Sequence, residues 1–126
     1  MKNANIILEG ESGTITSPGF PLNQPSELKC AWKITVPKDN AIKLEFLSFN
    51  IGKWLNYNSK VEVYSDFFKS QPALLIARKW KPSFVSFSPR RFALVELDLV
   101  DKVTGERGMK LMYKPVPQSK HASKYL

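Results

Sequence analysis

A rigid corner that leads, at a fixed distance, into a strictly alternating apolar run constrains this chain more than any other feature. Ser17-Pro18-Gly19-Phe20-Pro21 combines two prolines, whose φ is held near about −65°, with a glycine that tolerates positive φ, so the backbone has to bend sharply there. Nine residues on begins Cys30-Ala31-Trp32-Lys33-Ile34-Thr35-Val36. Cys30, Trp32, Ile34 and Val36 point one way and Ala31, Lys33 and Thr35 the other, the pattern of a strand buried on one face.

Short strands separated by turn signals fill the rest of the chain. Expected strands are 5–9, 13–16, 30–36, 42–48, 60–65, 73–77, 84–87, 92–100 and 109–114, with turns at Pro18-Gly19, Pro37 to Asn40, Asn56 to Asn58, Pro72, Pro82, Pro89 and Thr104-Gly105. Prolines at these places break any long helix, and the spacing is that of an antiparallel β-sandwich. The inward positions predict a core of Ile15, Trp32, Ile34, Leu44, Phe46, Val61, Val63, Leu75, Val85, Phe87, Val95, Leu97 and Leu111. Residues 1–114 are expected to form one domain. The polar stretch 115–126 has little to bury and reads as a flexible tail or linker.

Five motifs in order, Gly13-x-Ile15-x-Ser17-Pro18-x-Phe20-Pro21, Cys30-x-Trp32-x-Ile34, Ile42-x-Leu44-x-Phe46-x-x-Phe49, Val61-Glu62-Val63-Tyr64, and Gly108-Met109 before Tyr113, resemble the CUB domain family. The resemblance spans about residues 13 to 113 and implies an all-β fold, an antiparallel β-sandwich of jelly-roll type. It also implies a non-catalytic module of a mosaic protein. CUB modules usually carry two disulfides, the first joining an N-terminal cysteine to the one just before the Trp strand. Here Cys30 is the one cysteine, and its implied partner would lie at or before Met1. A subset of the family holds calcium through a Glu, an Asp and a later Asp. The matching positions are Gly52, Ser59 and Asp101, so one carboxylate remains. Calcium takes six to eight oxygen ligands, and neither calcium nor any other cofactor is expected.

At 126 residues, with 43% hydrophobic and 12% aromatic content, the chain can bury a core, and no run approaches the ~20 apolar residues of a membrane span. Ile6 to Leu8 is too short an apolar stretch for a signal-peptide core. The segment is therefore either a mature module restarted with a methionine or a cytosolic protein. The family resemblance favours the first reading, and the lone cysteine leans toward the second. Cys30 on an inward strand face reads as a small buried hydrophobe.

Little in the sequence supports catalysis. His121 lies in the polar tail, Cys30 has no histidine near it, and the glycines at 10 and 13 lack the lysine of a phosphate loop. Glu96 and Asp98 share a strand face and read as solvated or salt-bridged. No enzyme is expected.

Nineteen Lys and Arg against eleven Asp and Glu give +8, which favours acidic partners. Arg78-Lys79-Trp80-Lys81 and Arg90-Arg91 flank one predicted strand and can meet on one edge. Lys102, Arg107 and Lys110 make a second basic group. A bland reading treats them all as solubilising side chains that guard a strand edge. The sharper one is a contact with a sulfated glycan or acidic protein, with Trp80 adding apolar area. Nucleic acid ranks below these, since no recognition motif accompanies the charge. Between Phe49 and Ser59, Trp54 and Tyr57 are large aromatics in a turn-like segment, suited either to a protein contact or to covering the sandwich end.

The leading expectation is an extracellular or secreted binding module, or an ectodomain, that contacts another protein without calcium. Alternatives are a heparin-like polyanion binder and an intracellular β-sandwich of unrelated role. The contact residues expected are Trp54, Tyr57, Arg78, Lys79, Trp80, Lys81, Arg90 and Arg91.

Overall fold

A computed structural model of the chain describes residues 2–22, 27–51, 59–78, 81–82, 86–100 and 108–118, with Lys2, Asn3, Ser86 and Phe87 described through their backbone alone. The described residues form nine strands and no helix: β1 (Lys2–Glu9), β2 (Gly13–Thr16), β3 (Leu28–Thr35), β4 (Asn40–Asn50), β5 (Lys60–Tyr64), β6 (Leu75–Ala77), β7 (Ser86–Ser88), β8 (Phe92–Leu99) and β9 (Gly108–Pro117). They make a five-stranded sheet in the order β1-β3-β8-β5-β6 and a four-stranded sheet in the order β2-β9-β4-β7.

The alternation of the Cys30 run is what places β3 inside the first sheet. Leu28, Cys30, Trp32 and Ile34 are buried on one face, level with Leu99, Leu97, Val95 and Ala93 of β8. Val61 and Val63 of β5 continue the same rows. From the second sheet Ile15, Ile42, Leu44, Phe46, Leu111 and Tyr113 complete one hydrophobic cluster. Each such side chain contributes about 1.5–3 kcal/mol on burial. Of the predicted core, Leu75 is only partly buried at the rim, and Val85 and the Phe87 side chain lie outside the described residues. Leu28, Val36, Ile51, Leu99 and Met109 are also buried.

The corner works as the sequence suggests. Gly19 adopts φ 83°, and the Phe20-Pro21 bond is cis. The Phe20 N–H donates to the Ser17 carbonyl at 3.1 Å. Ser17 is itself buried, its Oγ accepting from the Met109 N–H at 2.8 Å and its own N–H donating to the Met109 carbonyl at 3.1 Å. The corner is thereby fastened to the start of β9.

Two details depart from the strand pattern expected. The β1–β3 pair is parallel, from Lys2 opposite Leu28 to Glu9 opposite Thr35, whereas every other pair is antiparallel. A parallel pair needs a crossover between its strands, and β2, which lies in the other sheet, lengthens the connection. The second departure is that β9 continues three residues past Lys114, pairing with β4 through Val116 opposite Ala41 and Pro117 opposite Asn40. Gln118 then bonds the Asp39 carbonyl through its N–H.

Candidate functional site

The outward face of the five-stranded sheet is charged because alternation leaves it the polar half of each strand. Its rows are Lys29–Asp98–Lys60, Ala31–Glu96–Glu62 and Lys33–Leu94–Tyr64. Glu96 and Glu62 stand directly opposite one another, a repulsive arrangement that two lysines relieve. Lys60 Nζ lies 3.0 Å from Glu62 Oε1, and Lys69 Nζ lies 2.5 Å from Glu96 Oε1. The Tyr64 hydroxyl donates to Glu62 Oε2. Partial burial of Glu62 disfavours its charge, but the Tyr64 and Lys60 hydrogen bonds outweigh this and hold its carboxyl below the usual range. The same bond, with burial and nearby carboxylates, pushes Tyr64 up to about 12.

Residues 65–70 fold over the upper part of this face. Asp66 pins them, with Oδ1 accepting from the Phe68 N–H at 2.8 Å and the Ser70 N–H at 3.1 Å, and Oδ2 accepting from the Ser70 hydroxyl. Phe67 packs edge-on against Phe92, ring centroids 5.5 Å apart, with Lys33 Nζ 5.8 Å from the Phe67 centroid. Below the loop a depression of about 450 Å³ is lined by Asn5, Lys29, Ala31, Glu62, Glu96 and Asp98. Its carboxylates at 62 and 96 are tied to lysines, while Asp98 Oδ1 is buried without a hydrogen-bond partner among the described residues. Burial pushes the Cys30 thiol up, in keeping with a packing role.

At the end of the sandwich where β4 leads to β5 and β8 leads to β9, Ile51 and Ser59 are both buried. Ser59 Oγ accepts from the Val100 N–H at 3.2 Å, so the hydroxyl ties the two strand ends together. A neutral serine bonded in this way does not fit a calcium ligand set built on carboxylates. Gly52 and Asp101, the other two positions of that set, lie outside the described residues. Among the described residues, no group of three or more His, Cys, Asp or Glu could hold a metal ion.

Of the predicted basic contact residues, Arg78 lies at a different level of the sandwich from Arg90 and Arg91. Arg78 follows Ala77, which is level with Val61 and Leu97, while Arg90 and Arg91 precede Phe92 at the far end of β8. Five residues of strand, about 17 Å, separate the levels of Leu97 and Phe92. β6 lies at the edge of one sheet and β7 at the edge of the other, so these consecutive strands do not pair. Arg91 is partly committed, its Nε donating to the Val36 carbonyl at 3.1 Å and its guanidinium 5.5 Å from the Phe92 ring centroid. Arg90 and Lys38 are exposed on adjacent turns, and Arg78 and Lys81 are exposed elsewhere. Trp54, Tyr57, Lys79 and Trp80 lie outside the described residues. The charged network around Glu62, Tyr64 and Lys69 was missed by sequence reasoning. The signal for it was the Lys-Glu alternation at 60 and 62 beside the Glu-Asp alternation at 96 and 98.

The CUB domain model matches residues 4–113. The chain belongs to the CUB domain family. Among solved structures, the CUB1-EGF-CUB2 domain of human MASP-1/3 superposes with a TM-score of 0.75 at 25% identity, covering 91% of this chain and 45% of that one. Among curated relatives, the Cubilin homolog of Drosophila melanogaster is 34% identical over 61 residues, 44% of this chain and 2% of that protein. Procollagen C-endopeptidase enhancer 2 of Mus musculus is 55% identical over 40 residues, 32% of this chain and 10% of that protein. The chain thus spans a tenth or less of these two relatives. CUB domains are in general non-catalytic binding modules of extracellular proteins. Among the described residues, no helix is long and apolar enough to cross a membrane.

Proposed function

We propose that this CUB domain is an extracellular, non-catalytic module that holds another protein through the loop end of its sandwich and does so without calcium. The observation that carries the calcium-free part is the Ser59 hydroxyl bonded to the Val100 N–H, at a position where calcium-binding members of the family place a carboxylate. Gly52 supplies no side chain at a second position. With those acids gone, the contact is expected to be apolar or cationic, and Trp54 and Tyr57, between the buried Ile51 and Ser59, are its proposed anchors. A second reading, polyanion binding, is favoured by the net charge of +8 and by the exposure of Arg90 and Lys38 on neighbouring turns.

The test is to immobilise the chain and pass secreted and ectodomain proteins over it in calcium, in EDTA and at high salt, with heparin as a parallel probe. The proposal expects a saturable protein partner that persists in EDTA and in salt and is lost in a Trp54→Ala, Tyr57→Ala variant. Binding to heparin alone, released as salt rises, supports the second reading instead. A protein partner released by EDTA refutes calcium independence.

A further inference from the structure

The edges of the two sheets are not equally protected. As described, β6 and β7 have three residues each and β2 has four, lengths that offer little to an incoming strand, whereas β1 at the open edge of the five-stranded sheet has eight. Between its ends β1 reads Asn3-Ala4-Asn5-Ile6-Ile7-Leu8, with no proline and no charge. Natural edge strands usually carry one of these guards or a bulge. β1 instead exposes Ile7 at 70% and Ile6 at 36%. Its other side pairs with β3 without a register shift, and among the described residues no strand pairs with its open side, so the backbone groups there form a straight ladder.

We propose that β1 is a self-association edge, pairing antiparallel with β1 of a second copy of this chain across a two-fold axis at Ile6. This goes beyond the contact with a different protein proposed above and does not rest on it. The sequence of β1 is self-complementary in this register. Residues directly opposite in an antiparallel pair share a face, so the core side would set Ala4 against Leu8 of the second copy and Ile6 against its own equivalent. Ala4 and Leu8 already pack against the core, and Ile6 lies between them opposite the buried Trp32. The apolar row of one sandwich would then run unbroken into the next. The outer side would set Asn5 against Ile7 and Asn3 against Glu9. Of the neighbouring two-fold registers, the one centred on Asn5 places Lys2 opposite Leu8, and the one centred on Ile7 overlaps only residues 5–9 of the strand, so both are poorer matches. Charge favours the same orientation at the level of the strand ends: antiparallel pairing brings the Lys2 end of one strand beside the Glu9 and Glu11 end of the other, on opposite faces, whereas parallel pairing aligns like ends.

Sedimentation equilibrium of the full chain, up to about 1 mM, reads the association directly. The expected result is a mass that rises with concentration from 14.4 kDa toward twice that value. Ile6→Lys, which places two ammonium groups on the axis, should leave a monomer throughout. If Ile6→Lys fails to fold, Ile7→Lys on the exposed outer row serves in its place and should weaken the association. Ile6→Cys supplies the positional check, because directly opposite residues have Cα atoms about 4.5–5.5 Å apart, within disulfide range. Oxidation should link Ile6→Cys into a covalent dimer, with the wild-type chain, whose Cys30 is buried, as the unlinked control. A wild-type chain that stays monomeric across the range overturns the proposal. So does a dimer that Ile6→Cys fails to link.

Discussion

Replacing Gly13 with alanine adds a single methyl group at the point where β2 meets β9, and the structure says what that methyl would meet. Gly13 is level with Tyr113 and, through it, with Leu44. A Cβ at residue 13 would lie 2.5 Å from the Tyr113 Oη, 2.7 Å from Cζ and 3.0 Å from Cε1. Comfortable carbon contacts begin at about 3.5 Å, so the ring must retreat by on the order of 1 Å. Tyr113 is 7% exposed and belongs to the core cluster, which leaves the ring little room to move. Overpacking of this kind costs about 1–3 kcal/mol. Against it stands the usual gain of about 0.4–1 kcal/mol from restricting the unfolded chain. The net expectation is a loss of about 1–2 kcal/mol, seen in thermal denaturation as a fall in Tm of several degrees. Tyr113→Leu removes the three atoms that conflict. In that background Gly13→Ala should become neutral or stabilising, so a double-mutant cycle should show coupling of about 1 kcal/mol or more. A Gly13→Ala protein more stable than wild type, or additive effects in the cycle, would refute the packing of Tyr113 over Gly13.

The remaining predictions concern the core and the charged face. Trp32→Ala should cost about 3–5 kcal/mol by urea denaturation, since the ring is 3% exposed between the levels of Val95 and Ile6; a loss under about 1 kcal/mol would contradict its burial. Absorbance titration of the tyrosines should show Tyr64 ionising near about 12, and Glu62→Gln should bring it back toward the ordinary range of about 10. The folded chain holds the Tyr64 proton more tightly than the unfolded one. That contribution to stability is therefore complete below about pH 10 and lost as pH climbs through about 12. Glu62 has the opposite sign, its contribution being present above the ordinary glutamate range and lost as acid protonates it, so stability should fall at both extremes.

Most of the sandwich was legible because alternation is a local signal. The period-two pattern of Cys30 to Val36 and the run from Ile42 to Phe46 placed two strands and their buried faces from residue type alone. The same signal is blind to strand direction, since apolar and polar residues alternate identically in parallel and antiparallel pairs. The parallel pairing of β1 was hidden for that reason. The continuation of β9 was hidden by its prolines. Beyond Tyr113, β2 has ended and β4 alone flanks β9. Gln118 donates its N–H on the β4 side, so by alternation residues 115 and 117 turn their backbone nitrogens to the open side, where proline loses no ladder bond. The different levels of Arg78 and Arg90 were hidden as well, since the consecutive strands β6 and β7 belong to different sheets. The network of Lys60, Glu62, Tyr64, Lys69 and Glu96 depends on how strands separated in sequence align side by side, and no single segment encodes that.

Isothermal titration of calcium into the purified chain, with thermal unfolding followed in parallel in calcium and in EDTA, tests the central reading most directly. With Ser59 bonded to the Val100 N–H and glycine at residue 52, the account predicts no saturable heat and one Tm for both conditions. Stoichiometric calcium binding accompanied by a rise in Tm would contradict it.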